Sequence, residues 1–177
     1  MIAVRLEQPG DEPGVRETNE VAFGEPLEAR IVDALRDSLR GRQVYLSLVA
    51  TIDERVVGYI LFTPVTIEPA ADRRIAGLAP MAVRPEYQRS GVGSQLIRAG
   101  LEECRRSGYS AVVVLGHPEY YPRFGFLAHT FGLICEFPSP PEAFSRSRAS
   151  ERRREESRLA TTALANTQPQ GTVQLVI

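Results

Sequence analysis

The amino-acid sequence predicts a single α/β domain: a mixed, mostly antiparallel sheet with helices packed on both faces. Three observations carry that expectation. Apolar residues recur at helical spacing in two stretches, 27–39 and 90–107, and β-branched runs with short polar connections lie between them. A further run, Ala111-Val112-Val113-Val114-Leu115, is apolar at every position, as a strand covered on both sides requires. The chain has 177 residues, 43% of them hydrophobic, which is enough to close one sizeable core.

Taken in order, Val4-Arg5-Leu6 reads as a short strand, and Asp11 in Pro9-Gly10-Asp11 is placed to cap a helix running toward Phe23. Leu27, Ile31, Leu35 and Leu39 then recur every four residues, which predicts a second helix with those leucines and isoleucine on its buried face and Glu28, Arg36 and Arg40 among its polar positions. Residues 44–51 and 56–64 form a hairpin across Ile52-Asp53-Glu54-Arg55. Ile75 to Val83 is a third strand, but Pro80 inside it cannot donate to a ladder, so a bulge or an unpaired stretch is expected there.

Val92, Leu96, Ile97, Leu101 and Cys104 make one apolar stripe on the next helix, opposite Gln95, Arg98, Glu102, Arg105 and Arg106. Gly108 is positioned to end it in a left-handed conformation. After the Ala111–Leu115 strand, one or two helical turns through Tyr121 and Phe124 stop at Gly125, and residues 126–137 hold another strand. Residues 1–144 are read as the domain. Residues 145–177 form an atypical arginine-rich segment, packed on the domain or partly disordered, whose stretch 145–158 holds six arginines and three glutamates and no aromatic residue.

A net charge of −1 and a pI near 6.2 give no global attraction to nucleic acid or to an anionic membrane. No apolar run reaches the ~20 residues needed to span a bilayer, and the first residues lack the basic-then-apolar order of a signal peptide, so a cytoplasmic location is expected. Two cysteines, Cys104 and Cys135, and two histidines make neither a disulfide framework nor a four-ligand metal site, so no metal is expected and both thiols are read as buried and reduced. All 21 basic residues are arginine, read as a compositional bias.

The chemistry concentrates at Gln88-Arg89-Ser90-Gly91-Val92-Gly93-Ser94. A strand ends at Val83, a tight connection follows through Arg84-Pro85-Glu86-Tyr87, and Gly91 and Gly93 open a strongly amphipathic helix. Unpaired N–H groups and the positive end of the helix dipole converge there, and glycine removes Cβ atoms that would hold a phosphate away. Two glycines alone also suit a closely packed helix start. Dinucleotide and P-loop patterns fail in detail: no third glycine falls at the required spacing and no lysine-serine pair follows.

With Gln88, Gly91 and Gly93 between an irregular strand and a helix, the sequence resembles the GNAT superfamily of N-acetyltransferases, whose signature is Arg or Gln, two residues, Gly, one residue, Gly or Ala. The segments Leu46–Ala50, Val56–Gly58, Pro64-Val65 and Gly116–Phe126 extend the resemblance to a bacterial subgroup of predicted acetyltransferases, over roughly residues 3 to 144. The resemblance implies a GNAT-like fold that uses acetyl-coenzyme A and acetylates a primary amine by direct attack through a tetrahedral intermediate. It implies that the backbone from Met81 through Ala82 to Val83 meets pantetheine, and that the turn from Gln88 through Arg89, Ser90, Gly91, Val92 and Gly93 to Ser94 holds the pyrophosphate. Tyr121, four residues before Gly125, falls where the family's Tyr-x-x-x-Gly-Phe pattern places a general acid near the coenzyme sulfur, and Tyr120 is assigned to packing.

The base is less defined, because residues 75–83 hold no Glu or Asp. His117 could relay a proton or simply form the turn, and Glu20, Glu25 and Glu28 could meet the amine or remain solvated. The alternative function is a catalytically silent acyl-coenzyme A-binding sensor or interaction module; a nucleotide-phosphate binder is the third. An exposed sheet edge is compatible with a homodimer. The acceptor, a small-molecule or protein amine, is not encoded in any motif.

Overall fold

The computed structural model describes residues 1–39, 45–65, 74–116, 119–128 and 172–176. Among these, seven strands form one sheet in the order β1-β2-β3-β4-β5-β7-β6, with β1 Ala3–Leu6, β2 Leu46–Ile52, β3 Arg55–Val65, β4 Ile75–Val83, β5 Ala111–Gly116, β6 Leu127–Ala128 and β7 Thr172–Val176. Only β4 and β5 run parallel, so the mixed, mostly antiparallel sheet expected from the sequence is the one observed. Helices α1 (Glu12–Phe23) and α2 (Leu27–Leu39) cover one face, and α3 (Val92–Arg106) covers the other.

The β2–β3 hairpin closes through Asp53-Glu54, both with positive φ (47° and 65°), the conformation in which a two-residue turn matches the twist of its strands. Alternate residues of β3 then serve the two faces. Ile60 and Phe62 join the cluster under α3, while Tyr59 and Leu61 join Val15, Val32, Val49 and Ala82 under α1 and α2. Gly100 lets α3 lie close to the sheet, since a Cβ there would stand 2.3 Å from Phe62 Cε2. The helix ends as expected at Gly108 (φ 77°), in a Schellman arrangement with Tyr109 N donating to Cys104 O and Gly108 N to Arg105 O.

Two expectations change. On α2 the buried residues are Glu28, Ala29 and Val32, and Leu27, Ile31, Leu35 and Leu39 are only half-buried, so the stripe is rotated by about one residue. Ala29 and Val32 turn inward, Val32 into the cluster with Val15, Val49 and Tyr59, and Glu28 is buried beside them. Asp11 stands at the N-cap of α1 but makes no side-chain cap; its carboxylate instead takes Arg5 (2.5 and 2.9 Å) and the Gln8 amide (2.8 Å). That carboxylate clips β1 to the start of α1, and the arginine hydrogen bonds hold it below the ordinary aspartate range.

On β5, Val112 and Val114 are buried toward α3 and Val113 is half-buried on the opposite side. The C-terminal β7 pairs with both β5 and β6, so the end of the chain contributes to the sheet. The arginine-rich stretch 145–158 lies outside the described residues, as do His117, Cys135 and the part of the 126–137 strand beyond Ala128.

Candidate donor site at the interrupted strand pair

The site begins where β4 and β5 part. Ile75–Leu78 pair in parallel with Ala111–Val114, but among the described residues the pairing stops at Leu78↔Val114. On its other side β4 keeps its antiparallel partner, with Ile60↔Met81, Tyr59↔Ala82 and Gly58↔Val83. Between Ile60↔Met81 and Phe62↔Leu78, one residue of β3 faces two of β4, Ala79 and Pro80, so the irregularity expected at Pro80 is a bulge. β5 carries β7 along its other edge, from Val112 to Gly116, and among the described residues Met81 and Val83 have no ladder partner on the β5 side, whereas Ala82 pairs with Tyr59 of β3. Met81 and Val83 are half-buried against the α3 cluster, whereas the Ala82 side chain packs into the cluster beneath α1 and α2.

The turn after β4 is held by side chains that the sequence left without a role. Arg84 is buried; its amide donates to Val57 O (3.0 Å), and its guanidinium reaches Glu17 of α1 (2.9 Å) and Glu86 (3.1 Å). Pro85–Tyr87 then make one 3-10 turn. Gln88 Nε2 donates back to Val83 O (3.1 Å) and Ser90 Oγ to Tyr87 O (2.6 Å), so both side chains brace the turn on itself. Arg89 (φ 60°) and Gly91 (φ 94°) have left-handed backbones.

Gly91 is the N-cap of α3 and supplies no side-chain cap. The first amides of the helix therefore lack intrahelical partners, and the dipole adds positive potential at the same point. The two glycines do different work. A Cβ at Gly91 would meet nothing within 4 Å, so this position needs glycine for its backbone angle, whereas a Cβ at Gly93 would fall 2.9 Å from Tyr120 Oη, 3.6 Å from Val83 Cγ2 and 3.8 Å from Met81 Cε. Three elements thus converge on Gly93: β4, α3 and the chain leaving β5.

That last element is a 3-10 turn, Tyr121–Phe124, stopped by Gly125 (φ 90°). Tyr121 is 7% exposed and packs edge-on against Phe126 (5.4 Å) and Tyr120 (5.2 Å). Burial, with a smaller contribution from Tyr120, raises its phenol above the ordinary tyrosine range, so it keeps its proton at neutral pH.

Of the three acidic residues considered for an amine, Glu25 is exposed and Glu20 half-exposed. Glu28 is 8% exposed, and its Oε2 has no hydrogen-bond partner among the described residues. Desolvation, reinforced by Glu25, raises its carboxyl above the ordinary glutamate range. It stands one helical turn before Val32, on the stripe of α2 that faces the cluster containing Ala82. Its solvated reading is therefore corrected: helical spacing marks Glu28 as polar, and only the rotated packing of α2 buries it. Cys104 is buried under α3 with its thiol pushed up to about 12 by desolvation, an inert thiol.

With this geometry in view, comparisons with known proteins decide the family. The acetyltransferase (GNAT) family model matches residues 13–126. The chain belongs to that family. It is 39% identical over 152 residues to the uncharacterized N-acetyltransferase YhbS of Escherichia coli strain K12, covering 85% of this chain and 89% of YhbS. The crystal structure of YhbS in complex with CoA superimposes with a TM-score of 0.65 at 38% identity, over 72% of this chain and 69% of that one. A GNAT family acetyltransferase from Brucella melitensis in complex with acetyl-CoA gives a TM-score of 0.67 at 37% identity, over 82% and 99%. Among the described residues, no group of three or more His, Cys, Asp or Glu is arranged to hold a metal ion, and no helix is long and apolar enough to cross a membrane.

Proposed function

We propose that this chain is an acetyl-coenzyme A-dependent N-acetyltransferase that moves acetyl directly onto a primary amine. The observation that carries the reading is one corner of the fold, where an interrupted strand pair, an uncapped helix N-terminus and a buried phenol follow one another. Complexes of its relatives with CoA and acetyl-CoA support the same donor. Acetyl-coenzyme A supplies the activated thioester. In this reading, backbone amides of the Gln88–Ser94 turn and of the α3 N-terminus hold the pyrophosphate. Main-chain groups of Met81 and the amide of Val83, without a ladder partner on the β5 side, meet the amides of the pantetheine arm, and Ala82 between them stays in register with Tyr59 of β3. Gln88 and Ser90 contribute through the shape of the turn, since their side chains are already bonded within it.

The neutral amine attacks the thioester carbonyl, a C–N bond forms and the C–S bond breaks. Tyr121 donates its proton to the departing thiolate, and the proton lost by the amine nitrogen passes to water. Glu28 is the carboxyl best suited to meet the acceptor as its ammonium, because burial of an oxygen without a partner favours a cation beside it, and the ammonium gives a first proton to water before the neutral amine attacks.

Release of coenzyme A thiol, followed over a panel of alkylamines, polyamines and peptides with free N-termini, tests the reading. Acceleration by at least one amine is expected; binding of coenzyme A without amine-dependent thiol release marks a catalytically silent binding module instead. Where chemistry limits turnover, Tyr121→Phe is expected to lower kcat about 100-fold, in the range of lost general-acid catalysis. An unchanged kcat removes Tyr121 from the acid role.

A further inference from the structure

Tyr120 carries a hydroxyl that its packing does not use. Its ring stands edge-on to Tyr121 (5.2 Å) and is tilted on Phe124 (5.4 Å), and the Arg123 guanidinium lies 4.1 Å over its centroid. A phenylalanine satisfies all three contacts. Among the described residues, no hydrogen bond occupies the Tyr120 hydroxyl. It points to the one place where the donor elements meet, 2.9 Å from the position a Gly93 Cβ would take, beside Val83 Cγ2 and Met81 Cε.

We propose that Tyr120 is a donor-site residue whose hydroxyl hydrogen-bonds to the coenzyme A pyrophosphate. This rests on the reading of the Gln88–Ser94 turn as the pyrophosphate seat. Gly93 is the second residue of α3, so its amide is one of those with no intrahelical partner, and any anion held by those amides lies close to the space that the missing Cβ leaves open. Glycine at 93 admits the phenol to that space, and the phenol adds a side-chain donor to a seat otherwise made of main chain. Arg123 over the ring and the T-shaped stack with Tyr121 fix its direction, so little side-chain freedom is lost when the bond forms. The neighbouring tyrosines divide the work: Tyr121 is enclosed in the core cluster, and Tyr120 reaches the helix terminus.

Tyr120→Phe keeps the ring and removes only the hydroxyl. Three ligands separate the parts of the donor: coenzyme A carries both arm and pyrophosphate, ADP carries pyrophosphate without the arm, and pantetheine carries the arm without pyrophosphate. By calorimetry, and by competition against coenzyme A for the two fragments, Tyr120→Phe is expected to weaken coenzyme A and ADP about tenfold each, the scale of one hydrogen bond to a charged group, and to leave pantetheine within twofold. Its ligand-free melting temperature is expected to match wild type. Unchanged affinity for coenzyme A overturns the inference while leaving the donor reading intact. Equal losses for pantetheine and ADP also overturn it, because the hydroxyl would then act on the arm or on the fold. Failure of wild type to bind coenzyme A removes the donor reading, and this inference with it.

Discussion

Against α3 the sheet presents an almost wholly apolar cluster, with Ile60, Phe62, Leu78, Val112 and Val114 meeting Val92, Leu96 and Ile97. Against α1 and α2 the same strands meet a face threaded with buried polar groups. Thr18 donates to Val56 O (3.1 Å), and Asn19 bonds back to Val15 O. Arg36 pairs with Glu7 (2.5 Å), whose carboxylate also bonds Ser47, and Ser47 is linked to the buried Tyr59 hydroxyl at 3.1 Å. Among the described residues, Asn19, Glu28 and Arg84 each keep one buried polar atom without a hydrogen-bond partner. Apolar packing tolerates no change of volume, whereas a polar face depends on pairing and on ionisation. The first suits a rigid platform for a constant ligand; the second makes one side of the sheet sensitive to charge.

The sharpest way to break this contrast is to add volume under α3. Gly100→Val places carbon where Phe62 already stands within 2.3 Å of a Cβ, and a loss of about 3 to 4 kcal/mol in unfolding free energy is expected from denaturant melts. An effect below 1 kcal/mol would mean that α3 can ride up off the sheet. On the polar face, Thr18→Val keeps the shape and removes one buried hydrogen bond, for an expected loss of about 1 to 2 kcal/mol in the same melts.

The smallest effect has the opposite sign. Glu28 has its folded-state carboxyl raised by desolvation, and Glu25 adds to the shift. Such a group contributes its stability below the unfolded glutamate range and loses it as pH rises through the folded value. Glu28→Gln is therefore expected to melt with wild type near pH 4 and above it by about 1 kcal/mol at pH 7 to 8. A variant less stable than wild type at pH 7 would show that the Glu28 carboxylate is paired in the folded protein.

The contrast also explains what could be read from the sequence. On the α3 side, periodicity and close packing agree: Ile75–Val83, the Pro80 bulge, the stripe of α3 and Gly108 at its end all lie where patterns of residue type place them. The tight turn and helix onset across Gln88–Ser94 were legible because Gly91 and Gly93 fall between the end of a strand and the start of an apolar stripe. The bracing of the turn was not: Arg84 reads as a surface charge until Glu17, 67 positions away in the chain, is brought against it. The Tyr120 ring packs as its pattern suggests, and a one-dimensional pattern does not record the direction of its hydroxyl. On α2 the every-fourth-residue apolar positions pointed one residue away from the buried face, which the helix builds from Glu28, Ala29 and Val32.

Where β4 leaves β5, a central stretch of the sheet has the character of a rim. Proteins commonly guard such open main chain by placing it at a boundary and blunting it with charge or proline. Here it lies indoors, flanked by β3 on one side and a gap on the other. In the proposed function an extended guest with amide groups enters that gap as a substitute strand. The architecture is left one rung short, and on that proposal small-molecule recognition and completion of the ladder are a single event.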